Sequence, residues 1–346
     1  MATNLSIDLR LVLVVRHGRG RGRHPRYLQA LLDDLERRRP DVHRRLVIHE
    51  TGAGGGAPSL ERFGAVVFWL ADPLRERFPE CFAEASVLAD EGRARGLRLV
   101  NPPAALSNTV KSTQSRIWQE AGIPSPVQVG AGSPAELVAG AAGLEYPVIV
   151  RPDDEHAQRG LRICTTRGEL EDAAATVAFP AVAASLVDSR AAFAETAPGT
   201  PFARYFHKKR AVVLGDRVIP NELFFSRSPI VASETCTFRK YAGRKSLPAV
   251  VSHLLPWDRR CVDADVEFAD RGAVPSDVLL RAVHALELDV AAVDYADLAG
   301  GGTVIWEANP HFQLPPIDNM YLAGPRRVRR RYDALTDAFG DFFARL

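Results

Sequence analysis

With 346 residues, 46% of them hydrophobic and 25% charged, the chain is long enough for two or three modules around a sizeable core, and its composition excludes a disordered or collagen-like protein. Basic residues number 44 against 42 acidic ones, and the net charge of +2 argues against a nucleic acid or other polyanion held by bulk electrostatics. No run of about 18 apolar residues reads as a membrane span, the N-terminus lacks a signal-peptide core, and Cys81, Cys164, Cys236 and Cys261 lie too far apart for a CxxC metal pair, so a soluble, reduced, cytoplasmic protein is expected.

Short apolar runs at 11–15 (LVLVV), 46–48 (LVI), 65–70 (AVVFWL) and 97–100 (LRLV) alternate with helical stretches, the first carrying a stripe of Tyr27, Leu28, Leu31, Leu32 and Leu35. This βαβ pattern, with strands apolar on both faces, predicts a Rossmann-like α/β domain over residues 1–105 whose parallel sheet is covered by helices. TGAGGGAPS at 51–59 reads as a surface loop. A second module opens at NPPAALSNTVKS, runs through a helix past Ile117 to GIPSP, and continues with a strand at 127–129. Ser133, Pro134 and Glu136 have the pattern of a helix N-terminus with a capping box, followed by strands in YPVIVRP and LRIC, a helix over 167–177, and a last strand in AVAASLVD. Residues 106–188 are therefore expected to form a compact α+β lobe. Residues 189–346 are expected to form a second, β-rich lobe containing RAVVLGDRVIPNELFF and VAAVDYADLAGGGTVIWEANP, with GDR and AGGG as hairpin turns.

The last of these hairpins carries the chemistry. Glu307 and Asn309 stand two apart on one strand and so share a face, and a hairpin of this length can bring Asp294 beside them. Two carboxylates and an amide oxygen are hard ligands suited to Mg²⁺. An isolated E-x-N would more simply face solvent.

From about Asn101 to Pro316 the sequence resembles the ATP-grasp superfamily, which includes D-alanine:D-alanine ligase, glutathione synthetase and the ribosomal protein S6 glutamate ligase type. The resemblance implies an N-terminal Rossmann-like domain followed by a two-lobed ATP-grasp fold, with ATP and Mg²⁺ as cofactors, two ions being expected and Mn²⁺ left open. It implies that Asp294, Glu307 and Asn309 ligate the metal. Lys111 in NTVKSTQ matches one phosphate-contacting lysine, and Arg151 in YPVIVRP stands where a second lysine is usual, which keeps the charge and changes the donor geometry. Arg210 in RAVVLGD matches the arginine that contacts the transferring phosphoryl group. Leu186 and Val187 become hinge candidates for adenine and Asp188 for the ribose, with Glu195 as its substitute. The loop over phosphate is glycine-rich in many members, and here reads DDEHAQRGL, which leaves His156 and Arg159 as substitute donors.

The resemblance thus implies an ATP-dependent ligase that activates a carboxylate as an acyl phosphate and couples it to an amine. Its partners would be small-molecule or peptide substrates, with no nucleic acid and no membrane, and a homodimer stays open. One alternative is a nucleotide-binding protein of this fold without ligase chemistry. Another is a histidine-phosphatase-like enzyme, from the RHG at 16–18, although that chemistry also needs a second histidine and further arginines in a single α/β domain, and His253 lies in a stretch without that context. Arg16 and His17, with Arg19 and Arg21, read instead as a basic loop at the carboxyl end of the first strand, where open α/β sheets bind ligands and a substrate carboxylate could sit.

Overall fold

A computed structural model describes residues 10–18, 25–52, 56–155, 160–196, 201–231, 256–312 and 325–346. They fall into two compact units, the first drawn from residues 1–107, 310–315 and 333–346, the second from residues 108–309 and 316–332. His156, Arg159, Arg19 and Arg21 lie outside the described residues.

The first unit holds a four-stranded, all-parallel sheet of β1 (Leu11–His17), β2 (Leu46–Thr51), β3 (Phe63–Trp69) and β4 (Arg98–Val100), in the order β2-β1-β3-β4. Val12 to Val15 are all fully buried, as a central strand covered on both faces demands. Leu28, Leu31, Leu32 and Leu35 of the helix Pro25–Arg38 are buried as one stripe. Arg38 and Arg39 at the end of that helix bind Asp337 and Asp341, tying the C-terminal stretch into this unit.

The second unit holds two antiparallel sheets. The smaller, β5-β8-β6-β7, is built from β5 (Gln128–Ala131), β6 (Val148–Pro152), β7 (Arg162–Cys164) and β8 (Ala181–Ser185). Alternation divides its faces: Val148, Val150, Ala181 and Ala183 pack on Leu137, Leu170 and Ala173 of the helices Pro134–Gly140 and Arg167–Ala174, while Ile149, Arg151, Val182 and Ala184 point the other way. Both helices start on side-chain caps, Ser133 accepting from Glu136 N–H and Thr166 from Glu169 N–H. The larger sheet, β10-β9-β11-β12, comprises β9 (Phe206–Leu214), β10 (Arg217–Ser226), β11 (Val290–Asp297) and β12 (Thr303–Asn309). Its hairpins turn at Gly215 (φ 63°) and at Gly300 and Gly301 (φ 75° and 85°), backbone that only glycine adopts cheaply.

On the face of β9 away from the alternating cations, His207 is fully buried against Phe193 (ring centroids 4.4 Å apart), and neither ring nitrogen has a hydrogen-bond partner among the described residues. Burial, reinforced by the Lys209 ammonium, pushes its imidazole down to about 4. The unfolded imidazole takes up its proton near 6.5 and the folded one only near 4, so stability is complete above about pH 6.5 and is lost as the pH falls toward 4. A single such group accounts for about 3 kcal/mol across that window. His207→Phe, which fills the same aromatic niche without polar atoms, is expected to flatten the decline in urea stability between pH 6.5 and 4. An unchanged slope in that variant would assign the acid sensitivity elsewhere.

Candidate active site

The larger sheet lines up one charged residue from each strand. Glu222 of β10 pairs with Arg210 of β9, Arg210 with Asp294 of β11, and Asp294 with Glu307 of β12. Directly paired residues share a face, so these four form a single row, and Asn309, opposite Ala292, stands on that face two residues along. Two irregularities set the row. The ladder shifts between Pro220 and Glu222 on β10, and between Asp294 and Tyr295 it skips Trp306 on β12, whose extra residue returns Glu307 and Asn309 to the side of Asp294.

Asp294 is the centre of the row and is only 4% exposed. Arg210 grips it through Nε (2.7 Å to Oδ1) and Nη2 (3.0 Å to Oδ2), and Lys208 Nζ lies 2.8 Å from Oδ2. Burial alone would raise this carboxyl, but the two cations outweigh it and hold it well below the usual carboxylate range. Arg210 Nη1 is also 3.8 Å from Glu222.

The helix Lys111–Glu120 supplies a second wall. Lys111, Gln114, Ser115 and Trp118 form its buried face at helical spacing. Lys111 is 1% exposed, donates to Asp153 O at 3.2 Å, and reaches to 3.8 Å from Glu307. The Asp153 carboxylate accepts from Ser112 N–H at 2.9 Å, placing an acid at the positive end of the helix. Gln114 acts as a piece of strand: its Oε1 accepts from Ala308 N–H and its Nε2 donates to Ala308 O, at 3.2 and 3.3 Å. Ala308 separates Glu307 from Asn309, so this side chain fixes the height of both. Gln114→Met would leave those backbone groups buried and unpaired, with an expected loss of about 1–3 kcal/mol in urea unfolding. Wild-type stability would show that another group takes over the pairing.

Between the two sheets runs a cleft lined by Ile149, Arg151, Val182, Ala184, Leu186, Val187, Lys208, Asp294, Trp306 and Glu307, among others. Its walls are the outward face of the small sheet and the charged face of the large one. Burial lowers the Arg151 guanidinium from its ordinary value, opposed by Glu307 and Asp153. Leu186 N–H is committed to Pro147 O (2.8 Å), whereas Val187 N–H bonds to none of the described residues. Asp188 accepts from Arg190 N–H, Nε and Nη2, and Glu195 accepts from Gly300 N–H. Both carboxylates expected near a ribose thus have other partners in this structure, Asp188 a neighbour in sequence and Glu195 a distant one.

In the first unit, Arg16 is bound to Glu50 and Gln29. His17 is 4% exposed, its Nε2 accepts from Ala71 N–H at 2.7 Å, and burial lowers it to about 4. A ring with that nitrogen committed and the other buried is poorly placed to attack a phosphoester.

Among the described residues no three His, Cys, Asp or Glu side chains group as a metal site. The donor set of Asp294, Glu307 and Asn309 nonetheless fits a hard divalent ion that takes its remaining ligands from water and phosphate, with the proviso that Arg210 and Lys208 already hold Asp294. Of the site residues, Glu222, Lys208, Asp153 and Gln114 escape the sequence analysis. The HKKR run at 207–210 is the one signal that could have pointed to Lys208.

No family model and no curated protein matches the sequence. Solved structures do. The ATP-grasp ligase PsnB complexed with a minimal precursor aligns over 93% of this chain and 99% of its own, with a TM-score of 0.52 and 16% identity. The RimK domain ATP-grasp protein from Sphaerobacter thermophilus DSM 20745 aligns over 95% and 98%, with a TM-score of 0.51 and 15% identity. PsnB with a phosphomimetic precursor variant, Mg and ADP gives a TM-score of 0.52 over 95% and 99%, at 16% identity. The chain therefore has the ATP-grasp fold, a mixed α/β architecture of parallel and antiparallel sheets.

Proposed function

We propose that the protein is an ATP-dependent ligase that activates a carboxylate as an acyl phosphate and couples it to an amine, releasing ADP and phosphate. The observation that carries this reading is the charged row Glu222–Arg210–Asp294–Glu307, whose Asp294 and Glu307 face a cleft with Arg151 on the opposite wall, and with Lys111 3.8 Å from Glu307. In this reading residues 1–105, joined by 310–315 and 333–346, are a Rossmann-like domain, 106–188 the small lobe and the rest of 189–332 the large one.

Adenine would lie against Ile149 and Ala184, with Val187 N–H as its backbone donor. Asp294, Glu307 and Asn309 would hold Mg²⁺, which supplies neutralisation of charge on the phosphate oxygens. Lys111 and Arg151 hold the phosphates from the other side. The substrate carboxylate attacks the γ-phosphorus as the bond to ADP breaks, and Arg210 meets the negative charge that spreads over the transferring group. The amine then attacks the acyl carbon and phosphate leaves. The ribose contact is open to Asp188 or Glu195 once either leaves its present partner, His156 and Arg159 are proposed for the lid, and Arg16, once it leaves Glu50, for a substrate carboxylate, whereas the buried His17, with Nε2 accepting from Ala71 N–H, is not suited to that role.

A screen of carboxylate and amine pairs for ADP formation, with mass detection of the adduct, tests the reading. Amine-dependent ADP release is the expected result. Tight ATP binding with no pair raising ADP release would instead favour a nucleotide-binding protein without ligase chemistry.

A further inference from the structure

Resting on the ATP reading above, we infer that Lys208 is a phosphate-binding residue of the cleft, held on Asp294 until a nucleoside di- or triphosphate enters and then donating to its phosphate oxygens. Lys208 stands two residues before Arg210 on β9 and so projects from the same face into the same cleft. Its side-chain hydrogen bonding within the described residues is a single contact, to Asp294 Oδ2 at 2.8 Å, and its ammonium also lies over the Phe224 ring, 5.2 Å from the centroid. An ammonium has three donors, so most of its capacity is uncommitted while its side chain keeps 14% exposure to the cleft.

Asp294 does not need Lys208. Arg210 alone gives that carboxylate two parallel N–H bonds, the strongest arrangement available to it. Lys208 thus places a positive charge on the cleft wall beside Asp294, in the same cleft as Arg151 and Trp306. Of the charged residues that line the cleft, Arg151 and Lys208 are set against Asp294 and Glu307. Without Lys208 the cleft would turn net negative toward a polyanion. A flexible four-carbon stem lets the ammonium swing off Asp294, which the anchored Arg210 fork cannot do. The exchange also frees an oxygen of Asp294 for a metal ion, so that nucleotide entry and the readiness of the metal ligands are linked through one side chain.

The test is calorimetric titration of the full chain with ATP, ADP and adenosine in excess EDTA, so that no metal takes part. Lys208→Met is expected to weaken ATP and ADP by about tenfold or more, the usual worth of a charge-assisted contact, and to leave adenosine unchanged, while Lys208→Arg restores most of the loss. Thermal melting of each variant checks that the fold is kept, and Lys208→Gln serves should the methionine variant not fold. ATP binding equal to wild type in Lys208→Met overturns the assignment, and so does an equal loss for adenosine, which would make Lys208 a prop of the cleft wall. Failure of wild-type protein to bind ATP at all would instead overturn the nucleotide reading on which the assignment rests.

Discussion

Arg210→Met is expected to lower ADP release at saturating ATP by about a hundredfold to a thousandfold, the usual cost of removing one fixed donor aimed at developing charge, while ATP binding stays within a few-fold of wild type. The reasoning starts from the strand. β9 holds Arg210 between β10 and β11, and the Asp294 carboxylate fixes the guanidinium through Nε and Nη2, so the fork is rigid before any substrate arrives. An interaction made mainly in the transition state appears in the turnover number and little in ground-state affinity. The structure adds a complication that Arg210→Lys resolves. Removing Arg210 takes a partner from a buried carboxylate, which can cost several kcal/mol of stability, here reduced because Lys208 remains on Asp294. Arg210→Lys keeps charge on Asp294, so its melting temperature should stay near wild type, yet it lacks the planar fork and its turnover should stay low. Collapse of ATP binding with turnover preserved at saturation would make Arg210 a nucleotide anchor.

The order of strands and helices was largely legible because it rests on local patterns. Val12 to Val15 are apolar without interruption since the strand is buried on both faces, and Ser133 with Glu136 marks a helix start because the cap satisfies donors within four residues. Asp294, Glu307 and Asn309 were suggested by spacing, but their meeting on one face depends on the irregularity at Trp306, and nothing in WEAN tells a bulge from plain alternation. Glu222 follows a second irregularity and looks in sequence like any polar residue of a half-exposed strand. Gln114 carries no sign of its task, since its partners are the backbone of a residue 194 positions away. Long-range pairing also brings Asp337 and Asp341 to Arg38 and Arg39, a relation that no periodicity encodes. The local engagement of Asp188 by Arg190 was open to inference, because an aspartate two residues before a helical N–H commonly bonds to it.

Glu307→Ala is expected to abolish ADP release while leaving the fold intact, the largest loss of any single change proposed for this cleft. Glu307 lies at the edge of the charged row, with 19% of its side chain exposed, and it faces Lys111 at 3.8 Å and the Arg151 charge across the cleft. Lys111 keeps its bond to Asp153 O without it. The contribution of Glu307 to the proposed chemistry is large. Of the two carboxylates in the donor set, Asp294 is already shared between Arg210 and Lys208, and Glu307 is the more exposed of the two, at 19% against 5% of the side chain. Loss of a ligand that places a metal on the phosphates removes several kcal/mol of transition-state stabilisation, and at about 1.4 kcal/mol per factor of ten the rate falls by about three orders of magnitude. Glu307→Gln separates charge from shape: it keeps an oxygen donor of the same size, so a raised Mg²⁺ requirement with partial recovery of turnover at high Mg²⁺ is expected. Circular dichroism and melting should match wild type for both variants. Near-wild-type ADP release from Glu307→Ala would count decisively against the metal assignment and the ligase mechanism built on it.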